Sequence, residues 1–143
     1  MKSDITRIKV LVVEDDSDWM EKIIECLNEE GYFVFQATDY SSAERIIRSR
    51  EEKYIDLAVI VLDLQLPDGD GMDLLDFILP RWDRDKTKVV ISSATGWVHE
   101  DERAKEYDFY SEYITKNLPD FKDSLIKAVH QAVRDREAAR SEM

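Results

Sequence analysis

The chain has 143 residues, 43% hydrophobic and 36% charged, with a formal net charge of −12. That length suits one domain able to bury about 70% of its unfolded surface, and no apolar run approaches the ~20 residues of a membrane-spanning helix, so no span is expected. The acidic balance argues against direct nucleic-acid binding, which needs clustered Lys and Arg. The lone Cys26 cannot close an internal disulfide and no secretory-type apolar stretch opens the chain, so a cytoplasmic location is expected.

In chain order, the first apolar run, Ile8 to Val13, predicts a strand that ends on the acidic cluster Glu14, Asp15 and Asp16. Ser17 or Asp18 is placed to cap a helix whose Met20, Ile23, Ile24 and Leu27 share one face, and Gly31 supplies the left-handed residue that ends it. A second strand spans Tyr32 to Ala37. Ser41 and Glu44 then read as a capping box before Ile46 and Ile47. The third strand, Leu57 to Leu62, is uninterruptedly apolar and runs into Asp63. Asp70 is placed to cap a third helix carrying Leu74, Leu75 and Ile78, with Pro80 expected to stop it. A fourth strand covers Lys88 to Ser92 and is followed by Ser93; a fourth helix is expected from Val98 to Tyr107. The fifth strand, Glu112 to Thr115, is short and polar enough for a sheet edge, and Lys116 follows it. The last helix, from about Pro119, buries Leu125, Ile126, Val129, Ala132 and Val133. A single domain, 1–143, is expected, with its core over about 7–134 and residues 135–143 a frayed helix end or the start of a linker.

Strict alternation of strand and helix predicts a parallel sheet with right-handed crossovers: an α/β, doubly wound, flavodoxin-like (βα)5 three-layer sandwich. Strand order 2-1-3-4-5 would open a cleft between strands 1 and 3 at their carboxyl ends. Glu14, Asp15, Asp63, Ser93 and Lys116 all follow strands and would meet on that edge. Crowded carboxylates resist ionising together unless a divalent cation or a lysine neutralises them, and oxygen donors suit a hard cation. Each residue also has a structural alternative. Asp15 and especially Asp16 can cap the first helix, Ser93 can satisfy a loop, Lys116 can guard an edge strand, and Tyr113 can simply pack. A buried strand ending on Asp63 has little such alternative, because an unpaired carboxylate there is costly. PDGDGMD lacks the glycine and closing glutamate of a calcium loop, and His99 and His130 have no ligand spacing and are expected at the surface.

With VLVVEDD, VIVLDLQLPDGDGMDLL, VVISSA and YITK in order, the chain resembles the receiver domain of two-component response regulators. The resemblance implies a signalling switch rather than an enzyme in the ordinary sense. Asp63 would accept the phosphoryl group, Asp15 and Asp63 would ligate Mg²⁺ directly, Glu14 through water, and Gln65 through its backbone carbonyl. Ser93 would hydrogen-bond the phosphoryl oxygens, Lys116 would pair with them, and Tyr113 would be the switch aromatic. The side chains of Gln65 and Thr95 would flank the group and tune its lifetime.

By the same resemblance the donor is a histidine kinase or phosphotransfer protein, or a small acyl phosphate. The output would be an effector or homodimer engaged through the face of the fourth helix, fifth strand and fifth helix. An alternative is a constitutive interaction module that keeps the fold without being phosphorylated. Two departures bear on it. The family's Lys-Pro is Lys116-Asn117 here, and Tyr107, Phe109, Tyr110 and Trp97 crowd a segment where the family tends to small residues, marking either a partner surface or a bulky local core.

Overall fold

The computed structural model describes residues 7–53, 56–94 and 102–142, with the side chains of 51–53 and 82–85 outside that description. Thr95, Trp97 and His99, together with the first four residues of the expected fourth helix, therefore lie outside the described residues; 102–104 are helical, and the helix ends there rather than at Tyr107.

The elements are β1 (Lys9–Val13), α1 (Ser17–Glu29), β2 (Phe33–Ala37), α2 (Tyr40–Lys53), β3 (Leu57–Leu62), the two-residue strands β4 (Gln65–Leu66) and β5 (Gly69–Asp70), α3 (Gly71–Asp85), β6 (Lys88–Ser93), β7 (Tyr110–Thr115) and α4 (Phe121–Ser141). The parallel five-stranded sheet has the order β2-β1-β3-β6-β7, the expected doubly wound order, with β4 and β5 pairing apart as a small antiparallel hairpin. β1, β3 and β6 are buried almost throughout because helices cover both sheet faces. One layer, α1 with α4, packs Met20, Ile23, Leu27, Leu125 and Val129 against Val10, Val12, Val61 and Ile114. The other, α2 with α3, packs Ile47, Leu74, Leu75 and Ile78 against Leu11, Leu57, Ile60 and Ile91.

Several local expectations are corrected. Asp16 caps α1, the structural alternative read for it, in place of Ser17 or Asp18: its Oδ1 accepts the Trp19 backbone N–H at 3.0 Å. The α2 cap is Asp39, whose Oδ1 takes the Ser42 N–H at 2.7 Å while Ser42 Oγ takes the Asp39 N–H, so the box lies two residues before the one read at Ser41 and Glu44. Asp70 does cap α3, accepting the Met72 N–H at 2.9 Å. Pro80 does not stop that helix, which runs on to Asp85 and gives way at Lys86, whose φ is 56°. A proline removes one backbone hydrogen bond, and the buried Leu74, Leu75 and Ile78 face anchors the helix across that loss.

Past residue 134, α4 continues to Ser141, with Arg136 buried and paired to Asp56, which also takes Arg140 Nη1 at 3.1 Å. His130 is half-buried rather than a plain surface residue. Its Nδ1 meets the Tyr32 hydroxyl and its Nε2 lies 2.9 Å from Glu30 Oε1. Phe109 is fully buried in the α2–α3 layer, so it is core and not part of an exposed partner face. In β7 the register skips Ser111, which puts Tyr110 and Tyr113 together against that layer and leaves Ile114 for the other.

Candidate functional site

Three strand ends build the site. β1 releases Glu14 and Asp15, and backbone bonds hold the exit in place: Glu14 N–H to Ala37 O at 2.9 Å and Asp63 N–H to Val13 O at 2.9 Å. β3 therefore delivers Asp63 beside Glu14, and one carboxylate oxygen from each of Glu14, Asp15 and Asp63 falls within 4.8 Å of the others. Lys116 leaves β7 with its N–H donated to Ser93 O at 2.8 Å, and its side chain reaches Asp63 at the end of β3, two strands away in the sheet.

At the centre, Asp63 is held at both oxygens. Oδ1 accepts the Gln65 N–H at 3.1 Å, and Oδ2 lies 3.2 Å from Lys116 Nζ. Lys116 Nζ also pairs with Glu14 Oε1, so one ammonium bridges the two buried carboxylates. Glu14, Asp63 and Lys116 are all buried, whereas Asp15 is exposed. Burial pushes the Glu14 carboxyl up to about 7; contact with Lys116 pulls it down without cancelling the rise, and the Asp63 charge adds to it.

Three carboxylates against one ammonium leave two formal negative charges. An oxygen-rich, doubly negative cluster with one exposed member fits a divalent hard cation with access to water. On that donor set Glu14, Asp15 and Asp63 are the residues that would hold it.

Of the other expected site residues, Ser93 ends β6 and is buried, Gln65 opens the β4–β5 hairpin, and Tyr113 is half-buried in β7. Four contributors were not read from the sequence. Gly71 sits so close to the loop after β3 that a Cβ there would lie 2.7 Å from both Asp63 O and Leu64 Cα. Asp68 caps α2 from a distance, accepting the Tyr40 and Ser41 N–H groups at 2.6 and 3.0 Å, bonds that hold its carboxyl below the usual range. Trp19 places its ring centroid 5.5 Å from Lys116 Nζ, and Asn117 bonds across to Ala94. The sequence signals for these were the DGDG run, which announces a turn without saying which glycine must be bare, and Asn117 standing where the family has proline, which does not say what its side chain bonds.

The family model for the response regulator receiver domain matches residues 10–130. The chain belongs to the response-regulator receiver family. Over 127 residues this receiver is 33% identical to the cell cycle response regulator CtrA of Brucella ovis, covering 89% of the chain and 50% of that protein. A probable transcriptional regulatory protein of Picosynechococcus matches at 32% over 91 residues, 62% of the chain and 36% of its own length. The receiver thus spans half or less of these curated relatives. Among solved structures, the non-phosphorylated HemR receiver domain of Leptospira biflexa superposes with a TM-score of 0.75 at 27% identity, covering 89% of this chain and 94% of that one. A CheY-like receiver protein of Methanospirillum hungatei, at 19% identity and TM-score 0.77 over 94% and 99%, shares the fold. Receiver membership makes the chain a signalling protein built around a phosphorylation switch.

Proposed function

We propose that Asp63 accepts a phosphoryl group from the phosphohistidine of a histidine kinase or phosphotransfer protein, or from a small acyl phosphate, with Mg²⁺ as cofactor. The observation that carries this is the Asp63 carboxylate held between the Gln65 N–H and Lys116 Nζ, with Glu14 and Asp15 oxygens beside it. A carboxylate is a weak nucleophile, so transfer depends on alignment and charge neutralisation more than on basicity. An Asp63 oxygen attacks phosphorus, the P–N or P–O bond to the donor breaks, and the donor keeps that electron pair. Lys116, already at the carboxylate, is placed to pair with a phosphoryl oxygen, and Ser93, at the adjacent strand end, to donate its hydroxyl to another. Bound Mg²⁺ supplies a Lewis acid that neutralises negative charge on the phosphoryl oxygens. The same neutralisation favours attack by water on the acyl phosphate, which makes the mark self-limiting.

The signal leaves through Ser93 and Tyr113. Ser93 shifts toward the new oxygens, Tyr113 turns inward, and the face around β7 and α4 changes shape, shifting a pre-existing equilibrium. That face would engage an effector or a second copy. CtrA is named a cell cycle response regulator, and the parts of such relatives outside the matched region are where a separate output would reside.

Incubation with acetyl phosphate and Mg²⁺, followed by intact mass, tests the reading. One phosphoryl adduct on the wild type and none on Asp63→Asn is expected. Full-extent labelling of the variant would move the acceptor elsewhere, and an unlabelled wild type would favour the constitutive interaction module, the reading to which Asn117 lends itself.

A further inference from the structure

Lys116 has to hold one position between two carboxylates, yet lysine has a flexible four-carbon stem and Asn117 has no ring to fix the backbone after it. Every peptide bond among the described residues is trans, so the loop geometry comes from elsewhere. Two contacts supply it. The Lys116 N–H bonds to Ser93 O at 2.8 Å, and the Asn117 Nδ2–H bonds to Ala94 O at 3.1 Å, adding a side-chain rung beyond the last paired residues, Ser93 and Thr115. The strand ends that carry Ser93 and Lys116 are thereby pinned together past the end of the sheet.

At its other end the lysine meets Trp19. The indole centroid lies 5.5 Å from Lys116 Nζ, within cation–π range. Trp19 is itself fixed twice: its backbone N–H is capped by Asp16 Oδ1 at 3.0 Å, and its ring stands edge-on to Phe121, centroids 5.0 Å apart. Phe121 opens α4, directly after the loop that Lys116 begins, and is buried. Lys22 also stands 4.6 Å from the indole centroid, but Lys22 is exposed and hydrated, whereas Lys116 is only 4% exposed, and a desolvated cation gains more from the ring.

We propose that Trp19 and Asn117 are positioning residues for the Lys116 ammonium: Asn117 locks the backbone from which the side chain starts, and Trp19 walls in its charged end. The inference rests on the phosphoryl-acceptor reading for its consequence but not for its geometry. The test compares wild type with Trp19→Leu, Trp19→Phe and Asn117→Ala by two readouts. Ring current from Trp19 should move the Lys116 Cε proton signals upfield in wild type. They should stay upfield in Trp19→Phe, return to the ordinary lysine position in Trp19→Leu, and shift in Asn117→Ala. The acetyl phosphate rate constant should fall about five-fold in Trp19→Leu and Asn117→Ala and recover in Trp19→Phe, a drop in the range of one cation–π or hydrogen-bond contact. Unmoved lysine signals, or moved signals with unchanged rates, overturn the proposal. If the wild type takes up no phosphoryl group, the proposed function fails, while the lysine signals by themselves still decide whether Trp19 and Asn117 place the ammonium.

Discussion

Glu14→Gln should make metal-free protein more stable than wild type at pH 8 and leave the two equal near pH 4.5. The Glu14 carboxyl rises from 4.5 to about 7 on folding, chiefly because burial disfavours its charge. A raised carboxyl binds its proton more tightly in the folded state. Its contribution is therefore complete below pH 4.5, declines as pH rises, and is gone above about 7. At ~1.4 kcal/mol per pH unit the rise corresponds to about 2–3 kcal/mol, shared with the Lys116 and Asp63 charges that Glu14 meets. Glutamine imitates the protonated acid and carries no such pH dependence. The assay is urea denaturation of both proteins in EDTA from pH 4.5 to 8. Carboxylates remote from the site titrate alike in the two proteins, so the difference reports Glu14 together with Asp63 and Lys116, the charges it touches. A gap that opens through this window and reaches roughly 2–3 kcal/mol, about 5–10 °C in Tm, supports the reasoning. Parallel stability curves, or a gap that closes with rising pH, refute it. Millimolar Mg²⁺ should reverse the ordering at pH 8, since a cation among the three carboxylates relieves the charge that burial penalises.

Asp15→Ala should lose most of the Mg²⁺-induced rise in Tm that the wild type shows, read by thermal melts with and without the ion; an equal rise would remove Asp15 from the ligand set. Gly71→Ala should destabilise the domain by about 1–3 kcal/mol through overpacking, because the new Cβ meets the Asp63 and Leu64 backbone at 2.7 Å, and chemical denaturation measures it. Changing the side chain of Gln65 or Thr95 should alter the dephosphorylation rate severalfold while labelling persists, as followed by the decay of the mass adduct; unchanged lifetimes in both would sink their tuning role.

What the sequence determined by itself is the alternation and its consequence. Continuous apolar runs at Leu57 to Leu62 and in β1 and β6 call for helices on both faces, and with the strand–helix alternation that requirement yields a doubly wound parallel sheet with its cleft at the carboxyl ends. Glu14, Asp15, Asp63 and Lys116 were legible for the same reason: strand-end position is a local property, and buried charge at such a position demands partners. Matters settled by long-range contact were not legible. The α2 cap was misread because the deciding oxygens belong to Asp39 and to Asp68, and Asp68 is 28 residues from the amide it serves. Pro80 failed to end α3 because packing of the helix face outweighs one missing hydrogen bond. Phe109, read as either partner surface or local core, is core, because it packs into the α2–α3 layer, a contact that spacing along the chain does not show. The tail expected to fray is held by Asp56, at the opposite end of β3 from the site. Spacing along the chain cannot show that Trp19 stands against Lys116, because that contact exists only once α1 and the loop before α4 have packed on the same side of the sheet.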